Sequence, residues 1–279
     1  MRRALVSQSM SDLPYADGLT HLSVARPAPG VVLVTLDLPE RRNMMSAPMT
    51  ASWEQVMAGL RTDPQVRAVV VTGAGSAFCS GGDTSWIGSE PDATVDALRA
   101  RMLPFYRAWL AVRDLEVPTV AAVNGAAIGA GLALALACDL RVVAADAVLG
   151  MPFTALGMHP GMASTYLLPE VAGPAMARDL LLTGRLLSGT EALTAGLASR
   201  CVPAGQVLGE ALSAARDNAA AAPEATRLTK RALLGAGQTS FEAALEWEAL
   251  AQPVTLATAD LQEGLLARRE RRAPRFTGR

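Results

Sequence analysis

Residues 68–83, with the sequence AVVVTGAGSAFCSGGD, decide how the rest of the chain is interpreted. The apolar run at residues 69–71 closes at Gly73, which predicts a buried strand that ends in a loop. The loop is rich in glycine and carries no strong acid or base as far as Gly82. Glycine lets the main chain approach a ligand closely. We therefore expect this loop to act through backbone N–H groups.

A second stretch has the same character. The apolar run at residues 118–123 predicts another short strand, and Asn124 then opens a second glycine-rich loop. A helix rich in alanine and leucine is predicted from there to Ala137. The free N–H groups at a helix start lie at the positive end of its dipole. Two such corners side by side can direct two amides at one oxygen, which stabilises an enolate or a tetrahedral oxyanion.

These two corners resemble those of the crotonase (enoyl-CoA hydratase/isomerase) family. The resemblance is carried by VVVTGAGSAFCSGGD at residues 69–83 and by PTVAAVNGAAIGAGLALALACDLRVVAADAVLGMPFTALGMHPG at residues 118–161. It extends from about Leu22 to Phe276, and several ordered motifs make it more specific than a single glycine loop. The resemblance implies an α/β fold, a crotonase-type spiral of β-β-α turns, with a C-terminal all-α region that assembles trimers.

The resemblance also implies where an acyl-CoA substrate would be held. The thioester oxygen would lie between the N–H groups of Gly82 and Ala130, which match the family's two oxyanion donors. The alternative for Gly82 is an ordinary turn glycine. The positions that the resemblance assigns to contacts with coenzyme A are Arg41, Arg42, Gly81, Gly82, Asp83, Gly129, Ala130 and Arg271.

The arginines among these positions have simpler interpretations as well. Arg41 and Arg42 are equally compatible with a solvated surface pair. Arg271 belongs to an arginine-rich C-terminus, a pattern typical of a solvated helix end, where positive charge suits the helix dipole. Arginine is also well shaped for binding phosphate, so a contact with the phosphates of coenzyme A, from the same or a neighbouring subunit, stays open.

An amphipathic stripe between Val95 and Val112 predicts a helix that packs one face inward. Pro104 falls inside it, so we expect a kink or a second helix that starts near that residue. The acyl pocket of the family has its floor in this region. The resemblance therefore makes Met102, Phe105 and Trp109 candidate pocket residues, and packing in the hydrophobic core is the alternative.

The residues that the family uses for proton transfer are missing. Hydratase-type members carry two glutamates, and the matching positions here are Ala133 and Phe153. An aspartate used by related isomerases and dehalogenases would fall at Gly161. None of these residues can transfer a proton. We expect Ala133 and Phe153 to line the substrate pocket instead.

A different acid or base would have to replace them. His159 is the first candidate, because imidazole titrates near neutral pH, although a loop histidine packed at a helix start is the alternative. Asp83 follows the glycine loop directly, where a structural hydrogen-bonding role is expected. Tyr106 and Tyr166 are weaker options.

Composition excludes several other classes. The chain has 279 residues and a formal net charge of −1, so charge gives no argument for nucleic-acid binding. Its three cysteines are scattered, which fits a reducing compartment, and we expect a cytoplasmic protein. Charged residues such as Asp139 and Arg141 interrupt the best candidate for a membrane span. No histidine or cysteine cluster supports a metal, and no cofactor beyond coenzyme A is expected.

Two other enzyme classes share part of the glycine pattern. VTGAG after a strand suggests a dinucleotide-binding Rossmann fold, but Phe78 replaces the third glycine of that motif and no second βαβ unit follows. Ser76 and Ser80 among glycines suggest a serine hydrolase, but the GxSxG motif is absent.

Three parts of the chain are predicted. Residues 1–18 form a mobile tail, and either Met1 or Met10 is the true start. Residues 19–206 form the α/β core and residues 207–279 a helical region. Within the core we expect a hairpin of strands at 22–25 and 31–37, a helix that follows Ser46, and a strand pair at 140–145 and 147–149. Two helices at 162–172 and 175–183 are expected to be separated at Gly173.

The sequence thus predicts an acyl-CoA-processing enzyme of the hydratase/isomerase type whose usual glutamates are replaced. The first alternative is an enzyme of the same fold with other chemistry, such as decarboxylation, thioester hydrolysis or an isomerisation that uses His159. The second is a non-catalytic acyl-CoA-binding protein. By resemblance, the protein would form a homotrimer or a dimer of trimers.

Overall fold

The computed structural model describes residues 13–83, 92–236 and 240–279. In these residues the chain folds into two β-sheets surrounded by helices. A six-stranded sheet has the order β1-β2-β3-β5-β7-β10, and a four-stranded sheet has the order β4-β6-β8-β9. The strands are β1 (Leu22–Ala28), β2 (Val31–Leu36), β3 (Ala68–Gly73), β4 (Ala77–Cys79), β5 (Thr119–Val123), β6 (Ala126–Ile128), β7 (Leu140–Ala144), β8 (Val148–Gly150), β9 (Leu186–Ser188) and β10 (Arg200–Val202).

The helices lie between these strands and dominate the last quarter of the chain. In chain order they are α1 (Ala47–Thr62), α2 (Val95–Leu110), α3 (Ala130–Ala137), α4 (Ser164–Thr183), α5 (Gly189–Thr194), α6 (Val207–Ala220), α7 (Pro223–Ala236), α8 (Phe241–Leu256) and α9 (Ala259–Glu270). The α/β fold class with C-terminal helices is confirmed. Successive turns of the chain, β3 with β4 and then β5 with β6 and α3, add one strand to each sheet.

Parallel pairing of β3 with β5 brings the two glycine-rich corners together. The register aligns Val71 with Ala121 and Thr72 with Ala122. Parallel neighbours end at the same edge of a sheet, so the loops after Gly73 and Val123 leave side by side. Both strands are buried along their whole length, which explains why each is an unbroken apolar run.

Several element boundaries follow local sequence signals. The hydroxyl of Ser46 accepts a hydrogen bond from the N–H of Met49 and caps α1, as expected. The two strands of the predicted hairpin, β1 and β2, pair antiparallel. The predicted break at Gly173 is confirmed, because this residue has φ +76° and ψ 162° inside α4.

One prediction about these elements is wrong, and one of two alternatives for another is excluded. The strands at 140–145 and 147–149 do not pair with each other: β7 lies between β5 and β10, whereas β8 joins β6 and β9 in the other sheet. Of the two outcomes expected at Pro104, a second helix is excluded, because the helix over Val95–Leu110 runs through this residue without a break. Proline removes the hydrogen bond to the carbonyl of Ala100, but both residues are exposed and water can replace it.

Part of the predicted tail packs on the core. Residues 1–12 and the predicted polar loop at 84–91 lie outside the described residues. Leu13 and Tyr15, however, are buried, and the Tyr15 hydroxyl donates to Asp63 at 3.1 Å. The tail prediction is therefore wrong for residues 13–18, because the tyrosine ring packs over Gly59 of α1.

The core also extends past the predicted boundary at residue 206. Helix α6 packs on β3 and β5 and buries Val207, Ala211 and Ala215. Small side chains let this helix approach the six-stranded sheet closely. The region from α7 onward is the part that lies outside this packing. None of the helices in the described residues combines the length and the apolar character that crossing a bilayer requires.

Residues 272–279, which we call the C-terminal segment, fold back onto the helices before them. The carboxylate of Asp260 accepts the N–H groups of Thr277 and Gly278, each at 2.7 Å. Glu263 accepts from the guanidinium of Arg272 at 2.6 Å and from the N–H of Arg275 at 2.8 Å. Charge-assisted bonds of this kind are stronger than neutral ones.

We predict that acid releases this segment. The hydrogen bond from Arg272 holds the pKa of Glu263 well below its ordinary value, at about 2. A depressed carboxylate pKa stabilises the folded segment above the ordinary pKa, and that stabilisation is lost as the pH falls toward about 2. Hydrogen exchange, corrected for the intrinsic rate, should show protection of the Arg275 amide at pH 5 that disappears near pH 2.

The Glu263→Gln variant should lose this protection already at pH 5. The matched control is Glu270→Gln, since Glu270 also contacts Arg272 but accepts nothing from Arg275. Equal protection in the Glu263→Gln variant and the parent protein would contradict the prediction.

Candidate active site

The loop after β3 and the start of α3 lie in direct backbone contact. A Cβ atom placed on Gly81, whose φ is +100°, would lie 2.8 Å from the carbonyl oxygen of Ile128 and 3.5 Å from the nitrogen of Ala130. A Cβ atom on Gly131 would overlap the carbonyl oxygen of Cys79. The structure therefore brings together the two corners that the sequence placed side by side, and glycine is required where they meet.

The N–H groups of interest lie at these corners. Ala130 is the first residue of α3, so its N–H has no partner within the helix. Gly82 forms a bridge with Met45 in which the N–H of Met45 donates to the carbonyl of Gly81 at 2.8 Å. Among the loop and turn hydrogen bonds of the described residues, none starts from the N–H of Gly82 or Ala130.

Two asparagine side chains fix the glycine loop from both sides. Asn43 is fully buried and donates to the carbonyl oxygens of Ala74 at 2.8 Å and Ala77 at 2.9 Å. Asn124 accepts from the N–H of Gly73 at 3.3 Å and donates to the carbonyl of Gly75 at 3.1 Å. Removing a buried amide would leave these backbone groups unpaired. Sequence reasoning missed this role of Asn43, although the residue directly follows the two arginines that it singled out.

The segment before Asn43 runs along the same loop. The N–H of Ser80 donates to the carbonyl of Arg42 at 3.0 Å, and its hydroxyl donates to that of Arg41 at 3.4 Å. Both arginine side chains are exposed. Arg41 and Arg42 thus lie beside the glycine loop. Asp83 is half-buried directly after the loop.

The loop contains one cysteine, Cys79. Its thiol is fully buried, and burial raises its pKa to about 12. The thiol of Cys138, next to the end of α3, is raised to a pKa of about 12 for the same reason. Neither is a thiolate at neutral pH. The chemistry available at the corner is that of the main chain.

Two predicted pocket residues lie near the second corner. Phe153 points its ring at Gly129, where the ring tip would lie 3.5 Å from a Cβ atom. Ala133 lies one helical turn after Gly129 and is completely buried. Both positions present apolar surface where the resemblance expects carboxylates.

Trp109 does not line a pocket. It is 0% exposed, stacks on Trp53 with ring centroids 4.9 Å apart, and donates its indole N–H to Thr50 at 3.0 Å. The pocket assignment of this residue is therefore wrong and the alternative of core packing holds, because the apolar stripe of α2 packs against α1 at this point. Phe105 and Met102, on the same helix, are half-buried.

His159 lies in a surface cavity of about 450 Å³. The cavity is lined by residues of α4 and of the preceding loop, including Thr165 and Arg178, and by none from either glycine corner. The imidazole Nδ1 is 2.8 Å from the carbonyl oxygen of Pro160, and the side chain is exposed. This location does not support a role for His159 as the base. Arg271 is also exposed and ends α9 with φ +56°.

Within the described residues no cluster of three or more His, Cys, Asp or Glu side chains could hold a metal ion. The candidate site thus consists of the two backbone corners and the apolar side chains near them.

Comparison with known proteins identifies this arrangement. The model of the family described as enoyl-CoA hydratase/isomerase matches residues 27–279. The chain belongs to the enoyl-CoA hydratase/isomerase (crotonase) family. A candidate enoyl-CoA hydratase of Thermus thermophilus is 41% identical over 246 residues, covering 88% of this chain and 97% of that protein. A Mycobacterium bovis protein named "Probable enoyl-CoA hydratase" is 38% identical over 275 residues, covering 94% of this chain and 95% of that protein.

Solved structures of the family have the same fold. The crystal structure of an enoyl-CoA hydratase from Bacillus anthracis is 32% identical and superposes with a TM-score of 0.88. It covers 93% of this chain and is itself covered completely. The arrangement of two sheets with C-terminal helices is therefore the crotonase fold.

We predict that Gly131→Ala separates the two corners. Its methyl group would overlap the carbonyl of Cys79, and overpacking of this kind costs about 1–3 kcal/mol of unfolding free energy. Urea unfolding should show that loss, and titration with an acyl-CoA should show weaker binding.

The matched control is Gly209→Ala, because Gly209 lies in α6 and a methyl group added there would have no atom within 4 Å. This change should raise the unfolding free energy by about 0.5–1 kcal/mol. A Gly131→Ala variant as stable as the parent protein would show that the corners have room to separate.

Proposed function

We propose that this crotonase-family chain is an enzyme that binds an acyl-CoA thioester and holds its oxygen between the N–H groups of Gly82 and Ala130. The observation that carries the proposal is the contact between the corners. A Cβ atom on Gly81 would lie 3.5 Å from the nitrogen of Ala130. Two fixed amides at one oxygen stabilise the negative charge of an enolate as it develops. Such a site needs no metal and no cofactor beyond the coenzyme A of the substrate.

The proposal includes the loss of the usual proton-transfer groups. Ala133 is buried and Phe153 packs against Gly129, so these two positions offer no carboxylate to activate water. General acid–base catalysis contributes about 10²–10⁴-fold in rate. Hydration of an enoyl-CoA should therefore be slow, although the name hydratase is shared by the relatives.

The apolar side chains around the site favour a second candidate function within the same fold. Decarboxylation of an acyl-CoA generates an enolate without removal of a proton, so it needs the two amides but no carboxylate pair. The apolar residues Ala133 and Phe153 would also disfavour the charged carboxylate of the bound substrate, which leaves as neutral carbon dioxide. Thioester hydrolysis, isomerisation and acyl-CoA binding without catalysis are the other outcomes that the assays below distinguish.

Coenzyme A and neighbouring subunits would contact the surface near the corners. We propose that Arg41 and Arg42, which lie beside the glycine loop, bind the coenzyme A moiety, and that Arg271 binds its phosphates.

We also propose a homotrimer or a dimer of trimers, supported by the exposed apolar side chains of α8 and α9, namely Phe241, Leu245, Leu250, Val254, Leu256, Leu265 and Leu266. The three free cysteines support a cytoplasmic location.

Crotonyl-CoA provides the first test. We expect binding in a calorimetric titration but little hydration at the thioester absorbance band. The Ala133→Glu, Phe153→Glu double variant should then gain hydration by about 10²-fold, because general acid–base groups are restored beside intact amide donors.

The control is the Ala133→Gln, Phe153→Gln double variant, which has the same shape without an acid. Circular dichroism confirms that both variants fold. Rapid hydration by the parent protein would overturn the argument from missing carboxylates, and failure of the parent to bind any acyl-CoA would overturn the proposal itself.

Arg271→Glu provides a second test. If the guanidinium contacts a phosphate of coenzyme A, reversal of its charge should weaken binding by about tenfold or more at low salt. Arg269→Glu is the matched control, since Arg269 is an exposed arginine in the last turn of the same helix. Equal affinities for Arg271→Glu and the parent protein would remove Arg271 from the site.

A further inference from the structure

The hydroxyl of Tyr106 occupies the space beside Gly161. A Cβ atom placed on Gly161 would lie 2.5 Å from the Tyr106 oxygen and 3.0 Å from the ring carbon that bears it. The phenol of α2 thus fills the volume that a side chain at position 161 would need. A residue larger than glycine at this position would require the tyrosine side chain to shift.

The hydroxyl of Tyr106 is available as a hydrogen-bond donor. Within the part of the chain that the structure describes, it makes no hydrogen bond, although Tyr106 is half-buried and its ring packs edge-on against Phe105 at 6.2 Å. A phenol in a partly buried position normally has a polar partner. Burial also raises the pKa of Tyr106, so the group is a protonated donor at neutral pH.

Two short connections link Tyr106 and Gly161 to the second glycine corner. Helix α2 contacts α3, whose first residue is Ala130. The Phe153 ring lies against Gly129, and the carbonyl of Phe153 accepts the N–H of Met158 at 3.0 Å. Gly161 follows Met158 by three residues and so lies within about 11 Å of it along the chain.

We propose that Tyr106 is a specificity-determining donor that binds an oxygen atom on the acyl chain. The preferred substrate class would be acyl-CoA thioesters that carry a hydroxyl or a carbonyl beyond the thioester. A plain hydrocarbon chain leaves the phenol without a partner, whereas an oxygen acceptor satisfies it. This inference rests on the proposed binding of acyl-CoA at the glycine corners.

Calorimetric titration with three ligands tests the proposal. Butyryl-CoA has no oxygen beyond the thioester, whereas 3-hydroxybutyryl-CoA and acetoacetyl-CoA carry one. The parent protein should bind at least one oxygenated ligand about 2- to 10-fold more tightly than butyryl-CoA, the range of one neutral hydrogen bond. Tyr106→Phe should lose this preference and keep its affinity for butyryl-CoA.

Tyr15→Phe is the matched control, because it removes a hydroxyl that donates to Asp63 at the end of α1. It should keep the preference. Gly161→Ala supplies an independent arm: its methyl group would displace the phenol, so it should lower the preference in the parent and change nothing further in Tyr106→Phe.

The outcomes separate this inference from the proposed function. If butyryl-CoA binds but the parent shows no preference, or if Tyr106→Phe keeps the preference, the role of Tyr106 is overturned and acyl-CoA binding stands. If none of the three ligands binds, the proposed function fails, and the inference fails with it.

Discussion

The structure depends on two stretches of main chain that touch without intervening side chains. Gly81 faces Ile128 and Ala130, and Gly131 faces Cys79. The contact is possible because β3 and β5 pair in parallel and end together, and because each following strand crosses to the second sheet. A single methyl group at either glycine would separate the corners. The geometry of this contact therefore depends on the absence of side chains at the two glycines.

Much of this could be predicted from the sequence, for identifiable reasons. The apolar runs of β3 and β5, the cap at Ser46 and the break at Gly173 are local signals, and each was confirmed. The strands β4 and β6 were missed, because they lie within the glycine-rich stretches, where the sequence predicts loops. For Trp109 the sequence left a pocket and the hydrophobic core as alternatives, because an amphipathic stripe shows which face of a helix is apolar, but not whether that face meets a neighbouring helix or a cavity.

The roles of long-range polar contacts were the hardest to predict. Asn43 forms hydrogen bonds with carbonyls more than 30 residues away in sequence, which no motif in its own neighbourhood indicates. The contact between Tyr106 and Gly161 is similar, since the side chain of a helical tyrosine fills the space beside a glycine in a distant loop. Family membership fixes the fold and the corners. The reaction is a proposal, which rests on the apolar residues Ala133 and Phe153 at the positions that the resemblance assigns to glutamates.

Asn124 has a consequence for the chemical lifetime of the protein. An asparagine followed by glycine, as in Asn124–Gly125, is the pair most prone to spontaneous deamidation, and asparagine is a heat-labile residue in general. Here the side-chain nitrogen is held by the carbonyl of Gly75, which keeps the amide away from the main-chain nitrogen that would attack it. Should deamidation occur, a carboxylate would face that carbonyl oxygen. Ageing at this one position would then push the glycine loop away from its neighbour and inactivate an otherwise folded molecule.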